Sequence, residues 1–203
     1  MSTGLRERKK QQTRQAIHDA AMRLFAERGF DATTIADIAE AADIAPRTFF
    51  GYFPSKEDVV FADFPETVEG LSARLDSRSS DETAIDAIRA WIEGLLDEVD
   101  LADDREKCRK RVIAQSPALA DHYRALMGQV EELLAGHIAR DLGDQPDDVR
   151  PHMIASSVIG ALSALDGKGS DGGAPATKEE SLAMIDQALT FLQGGMNALR
   201  KGR

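Results

Sequence analysis

Residues 33 to 56, TTIADIAEAADIAPRTFFGYFPSK, leave this chain few folds to choose from. Ile35, Ile38, Ala39 and Ala42 recur at i, i+3, i+4 and i+7, the pattern of one buried helical face. Thr33 or Thr34 supplies the hydroxyl that caps its start. Ala42-Asp43-Ile44-Ala45 reads as a turn, and Pro46, with its fixed φ and missing N–H, suits the first position of a second short helix. On that helix Phe49, Phe50 and Phe53 are expected to turn inward, which leaves Arg47, Thr48, Gly51 and Tyr52 on the other side. A guanidinium, a hydroxyl and a phenol beside a gap are groups that reach base edges and phosphates in a major groove. The same spacing also suits a helical hairpin whose aromatics are core and whose polar face is simply wet.

The flanks favour the first reading. Ile17, Ala20, Ala21, Leu24 and Phe25 mark an amphipathic helix over residues 13 to 30, and Gly29 ends it, as glycine does where a helix exit needs positive φ. Ser55-Lys56-Glu57-Asp58 reads as the capped start of a fourth helix. The order R-x-A-I-x-x-A-A-x-x-L-F-A-E-R-G-F, then T-T-I-A-D-I-A, then T-F-F-G-Y-F-P-S-K-E-D resembles the DNA-binding domain of the TetR family of bacterial transcriptional regulators. The resemblance covers roughly the first third of the chain.

The net charge of -10 suits a DNA binder only when it is divided along the chain. Residues 1 to 58 hold nine Lys/Arg and nine Asp/Glu, so the remainder carries the whole deficit. Arg6, Arg8, Lys9, Lys10 and Arg14 are set against Glu7 alone, a basic arm ahead of the first helix that can follow phosphates or enter a minor groove. A solubilising tail has the same composition. The single cysteine, Cys108, rules out an intramolecular disulfide. The N-terminus has no apolar core of the signal-peptide kind, and no apolar run is long enough to cross a bilayer. A cytoplasmic, all-α protein with no membrane span is expected.

Further along, Pro65 interrupts the apolar pattern of Val59, Val60, Phe61 and Phe64, so a kink or restart is expected near Phe64, marking a hinge. The next helix starts at Asp81 and Glu82 and carries Ile85, Ile88, Trp91, Ile92, Leu95 and Leu96. A charged helix over 103 to 114 precedes the longest stretch, 117 to 142, with Leu119, Tyr123, Leu126, Met127 and Val130 on its stripe. A small-residue helix over 151 to 165, a flexible loop over 166 to 177 and a last apolar helix over 178 to 199 complete the chain. The last two helices carry more apolar residues than one packed face needs, which argues for association.

The expected architecture is a basic arm and helix-turn-helix domain over residues 1–54, followed by a helical ligand-binding and dimerisation domain over 55–203. The resemblance implies a homodimer joined through its last two helices. Such a dimer is a ligand-responsive regulator, a repressor that leaves a palindromic double-stranded operator when a small effector binds. It implies phosphate contacts from Thr34, Tyr52 and Lys56 and base contacts from Arg47 and Thr48, with Arg6, Lys9 and Lys10 as further DNA-binding residues. Three positions depart from the family pattern. Phe50 stands where a phosphate-binding tyrosine is common, Asp43 replaces a turn glycine, and Ala45 replaces a frequent serine cap.

The run Arg109-Lys-Arg followed by Ser116-Pro117-Ala-Leu is similar to an actinobacterial TetR subgroup whose C-terminal domain has been associated with acyl-CoA-type ligands. A hydrophobic or amphipathic effector is therefore expected, in a cavity lined by some of Trp91, Leu95, Tyr123, Met127 and Met153. Each of these residues also suits an ordinary core. Catalytic residues, a metal site and a cofactor are not expected, because His18, His122, His137 and His152 lie far apart and no HExxH, phosphate loop or nucleophile elbow is present. The alternative function is a dimeric small-molecule-binding helical protein that does not bind DNA.

Overall fold

The computed structural model describes residues 3–98, 104–168 and 178–201. Among them the regular elements are all helices: α1 (Thr3–Arg28), α2 (Ile35–Ala41), α3 (Pro46–Phe49), α4 (Lys56–Val60), α5 (Phe64–Asp76), α6 (Ala84–Glu98), α7 (Asp104–Gln115), α8 (Pro117–Leu142), α9 (Val149–Lys168) and α10 (Lys178–Lys201). None is long and apolar enough to cross a membrane. The loop expected over 166 to 177 lies mostly outside the described residues, and α9 runs into its first positions.

The chain divides into two compact units, one of Met1–Pro65 and Asp103–His122, the other of Glu66–Ala102 and Tyr123–Arg203. In this division the first unit runs to Pro65 and also takes α7 and the opening turns of α8. The restart expected near Phe64 is present: α4 ends at Val60, and α5 begins at Phe64 with Pro65 in its first turn, where a missing N–H does no harm. Helices α5 and α8 each begin in the first unit and continue in the second.

The first unit is built around aromatic residues. Ile17, Ala21, Leu24 and Phe25 of α1 are buried, as are Ile38 and Ala39 of α2, Phe49 of α3, and Phe53. Val59 and Val60 of α4 and Val112 of α7 are buried too, and α1 packs against α2, α4 and α7. Gly29 ends α1 at φ 85, its N–H donating to Phe25 O, so the chain reverses and brings the Phe30 ring, tilted at 54°, to 5.0 Å from Phe25.

In the second unit α10 packs against α6 and α9 around Ile85, Ile88, Ile154, Val158, Leu189 and Met196. The cap of α6 is Thr83, two residues beyond Asp81: its N–H and hydroxyl donate to Asp86 Oδ2 at 3.0 and 2.6 Å, and Asp86 N–H returns to Thr83 Oγ1 at 3.2 Å. A hydroxyl accepts the orphan amide better than a carboxylate two places earlier can reach it. Arg89 pairs with Asp186, and Gln193 donates to Asp86 at 2.8 Å, so polar groups fix α6 against α10 outside the apolar seam.

Arg78 and Asp141 form a part-buried ion pair at 2.8 Å, and Asp141 Oδ2 also accepts the Ala84 N–H. Beside them lies His137, which is buried. Burial pushes its imidazole below the ordinary 6.5, the Arg140 and Arg78 guanidiniums act the same way, and the Asp76 and Asp141 carboxylates oppose them. Folded His137 is thus neutral where the unfolded chain takes up a proton. Its contribution to stability is intact above about pH 6.5 and is lost as pH falls from there through the folded value. Thermal unfolding followed from about pH 7 to about pH 5 should fall more steeply for the native chain than for His137→Gln. Equal slopes would remove His137 as the cause.

Candidate nucleic-acid interface

The interface is assembled from the start of α2 forward. Thr34 is its N-cap: Asp37 N–H donates to Thr34 Oγ1 at 3.1 Å, while the Thr34 N–H and hydroxyl donate to Asp37 Oδ2 at 2.8 and 2.6 Å. These bonds, the hydroxyl's first and the backbone's second, hold the Asp37 carboxyl below its ordinary 3.8, and the charge of Arg28 adds to them. Thr33 points the other way and is buried, its hydroxyl donating to Gly29 O at 2.8 Å. The two adjacent threonines therefore divide their work, one closing the loop after α1 and the other opening α2 while staying exposed.

The turn follows the sequence closely. Asp43 sits at φ 55, the left-handed conformation that the turn needs and that Asp tolerates better than most residues. Ala45 is the N-cap of α3 and makes no side-chain cap bond, so Pro46 alone marks the start. Helix α3 has only four residues, and too few internal bonds close in it to hold it by itself. Burial of Phe49 and Phe53, with ring centroids 6.0 Å apart, fixes it to the unit. Gly51 N–H donates to Thr48 O at 3.0 Å, and a Cβ on Gly51 would stand 3.2 Å from that same oxygen. Glycine keeps this exit tight.

Phe50 keeps the right-handed helical conformation, and a turn of about 100° per residue carries it off the face that Phe49 and Phe53 share at i and i+4. Its ring, expected inside, is 58% exposed and touches Phe49 edge-on at 5.6 Å. The outer position agrees with the resemblance, in which this residue faces DNA. Arg47 and Thr48 are exposed on α3, Tyr52 just after it is half-buried, and Thr34 is exposed at the start of α2, which packs against α3.

Lys56 is placed differently. Its ammonium donates to Phe30 O at 2.9 Å and Thr33 O at 3.2 Å and lies 4.2 Å from the centre of the Phe30 ring. Two of its three donors are engaged in holding the loop between α1 and α2. Arg14 plays a parallel part, donating to Ala62 O with its guanidinium 4.6 Å from the Phe53 ring centre. Neither clamp was visible in the sequence, since each joins residues far apart in the chain. The cap of α2 was expected at Thr33 or Thr34, and Thr-x-x-Asp before an apolar run is the local signal that selects Thr34.

The basic arm is also corrected. Arg6, Lys9 and Lys10 are exposed on the opening turns of α1, which is one continuous helix of 26 residues rather than an arm followed by a helix. Lys, Arg, Gln and Glu are good helix formers, so the charged segment extends the amphipathic one. No acidic residue lies in the first turn. This end of α1 combines the positive pole of the helix with cations, an arrangement that an anion relieves.

Among the expected ligand residues, Trp91 and Leu95 on α6 and Tyr123 and Met127 on α8 are half-buried. The Trp91 indole lies over Gly70, where a Cβ would stand 3.6 Å from Nε1. Met153 does not line an interior, for it is 53% exposed on α9, with its thioether on the outer side of a helix whose buried face is Ile154, Ala155 and Val158. Among the described residues no group of three or more His, Cys, Asp or Glu is placed to hold a metal ion.

A capped helix, a left-handed turn and an anchored second helix with its polar side outward define a helix-turn-helix unit. Residues 17–62 match the family described as bacterial regulatory proteins, tetR family, and residues 82–197 match the MftR C-terminal domain. The chain is 34% identical over 160 residues to the transcriptional regulator MftR of Mycobacterium tuberculosis, covering 78% of this chain and 81% of that one. It is 35% identical over 162 residues to the HTH-type transcriptional regulator TcmR of Streptomyces glaucescens, covering 75% and 71%. Solved structures with a similar fold include the SmeT–triclosan complex, with a TM-score of 0.64 at 21% identity over 88% of this chain and 90% of that one. Another is FadR of Thermus thermophilus in complex with lauroyl-CoA, with a TM-score of 0.58 at 22% identity over 90% and 94%. The chain belongs to the TetR family of transcriptional regulators, with a C-terminal domain of the MftR type, a family of regulators rather than enzymes.

Two substitutions separate support from contact. Lys56→Met removes two hydrogen bonds from a charged donor and should lower the stability of the protein by about 1–3 kcal/mol in denaturant titration. Arg47→Ala changes an exposed side chain and should stay within about 0.5 kcal/mol of the native chain. Comparable losses in the two variants would contradict the division.

Proposed function

We propose that the protein is a homodimeric repressor whose paired α3 helices enter successive major grooves of a palindromic operator and which releases DNA when a small hydrophobic or amphipathic effector binds. The observation that carries this reading is the outward presentation of Arg47, Thr48 and Tyr52 on a helix anchored by Phe49 and Phe53. Arg47 and Thr48 are the base-reading residues, and Thr34, Tyr52 and the remaining donor of Lys56 meet phosphate. Arg6, Lys9 and Lys10 add sequence-independent contacts along the backbone from the first turns of α1.

Dimerisation is supported by Phe191 on α10, 80% exposed, and by Val149 and Met153 on α9, 79% and 53% exposed. Large apolar side chains left in water on the last two helices of one chain are suited to burial against the same helices of another. One α3 covers only a few base pairs, and a two-fold pair doubles the contact at a fixed spacing.

The effector is placed in the second unit, near Trp91, Leu95, Tyr123 and Met127. Of the ligands of the two structural neighbours, triclosan is largely apolar and lauroyl-CoA joins an apolar acyl chain to a charged, polar head, which favours a hydrophobic or amphipathic ligand, acyl-CoA-like compounds included. Helices α5 and α8 provide covalent continuity between the ligand-binding helices and the DNA-binding unit. Within the first unit His122 of α8 stacks on Phe61 at 5.3 Å, with Nε2 3.5 Å from Asp58 of α4, so the opening turns of α8 touch the helix that follows the reading head. An effector releases DNA only by binding the DNA-incompetent arrangement more tightly, since equal affinity for both shifts nothing. A cytoplasmic location follows from a role on DNA.

DNA selected from a random pool by the purified protein should converge on a palindrome, and affinity for it should fall steeply with salt. Arg47→Ala should weaken binding to the selected site by about 1–3 kcal/mol and relax the preference at one position of each half-site. Recovery of no site above background, or unchanged affinity in Arg47→Ala, would overturn the DNA-binding reading.

A further inference from the structure

We infer that Phe50 is a specificity-determining residue of the reading head, whose ring takes the C5-methyl group of a thymine in each half-site, close to the base pair that Arg47 reads. This rests on the DNA-binding reading and adds to it a base that the head selects without a hydrogen bond.

Phe50 is held where such a contact needs it. It is the C-cap of α3, at φ -67 and ψ -11, so it continues the turn of the helix while its ring stays exposed. The ring stands edge-on, at 84°, against Phe49, which is fully buried. A ring braced on a fixed neighbour loses little conformational freedom when a partner covers it. Pro46 and Arg47, four and three residues earlier, fall on the same side of the helix and are exposed as well. Gly51 follows, also exposed, and adds no side chain that would hold a duplex away from the ring. The outward side of α3 is thus a guanidinium next to an apolar strip of proline and phenyl, rather than polar throughout.

The strip decides what it can take. A phenyl ring has no donor or acceptor to offer a phosphate oxygen or a base edge. Covering it is favourable when an apolar group displaces the water against it. Among the base edges of the major groove that group is the thymine methyl, since guanine, adenine and cytosine present acceptors and amino donors there. Side chains at i and i+3 start about 5–6 Å apart on a helix, and successive bases of a strand are about 3.4 Å apart along the axis. The thymine therefore lies about one or two base pairs from the position that Arg47 reads.

The test uses the full chain and the duplex it selects from a random pool, with each thymine replaced in turn by deoxyuridine, which pairs identically but lacks the methyl. One thymine in each half-site should prove sensitive, near the position whose preference Arg47→Ala relaxes. Its replacement in one half-site should weaken binding about fourfold, the worth of one buried methyl-sized group, and replacement in both about 15-fold. Phe50→Ala should bind the thymine duplex more weakly by about the same factor and should bind the thymine and deoxyuridine duplexes equally. Its melting temperature should stay close to that of the native chain, because the ring it removes is exposed. A selected duplex with no thymine sensitive to deoxyuridine would overturn the inference and leave DNA binding intact. So would a sensitivity that persists in Phe50→Ala, which assigns the methyl to another residue such as Thr48. Recovery of no site at all would overturn the DNA-binding reading, and this inference with it.

Discussion

Two phenylalanines carry the reading head. Helix α3 has four residues and no side-chain cap, so neither cooperativity nor capping holds it in place. Phe49 and Phe53, 0% and 2% exposed, pin both ends of the segment into the first unit. Arg14 of α1 lies over the Phe53 ring, and Lys56 lies over Phe30 in the loop before α2, so a cation braces each of these rings. The outward set of the polar face is thus a consequence of core packing, and the positions of Arg47 and Thr48 depend on residues that never approach DNA.

This arrangement explains why some functional geometry was legible and some was not. Local grammar was readable: the Thr34 cap, the left-handed Asp43, the proline at the first position of α3, the uncapped Ala45 and the Gly29 exit all lie where short-range rules place them. Phe50 was misplaced because all three phenylalanines were assigned to one side, whereas only Phe49 and Phe53, at i and i+4, share a helical face and their neighbour at i+1 lies about 100° from it. Lys56 carried no local sign of its clamp, because its partners lie 26 and 23 residues away and only the tertiary fold brings them together. The start of α1 differed for a plainer reason: helical periodicity reports an apolar face, and a helix whose first turns are solvated on every side has none to report.

The second unit was readable in outline but not in detail. Apolar stripes gave α6, α8 and α10, yet whether a given stripe residue faces core, cavity or partner is decided by neighbouring helices. Met153, expected in a cavity, is exposed beside Val149, and both share their outer position with Phe191 of α10. Residues of one chemical type were thus divided between interior and surface by packing that no local pattern encodes. The charge division has a related logic. Residues beyond the first 58 carry the whole net deficit, and cations prevail only over the opening turns of α1, where Arg6, Arg8, Lys9, Lys10 and Arg14 face Glu7 alone.

The most direct measurement is amide hydrogen exchange of the full chain with and without its selected duplex. If the account is right, DNA slows exchange most over residues 45 to 52 and around Thr34, with a smaller effect over the first turns of α1. Protection that spares residues 45 to 52 and falls instead on the helices after Pro65 would contradict it.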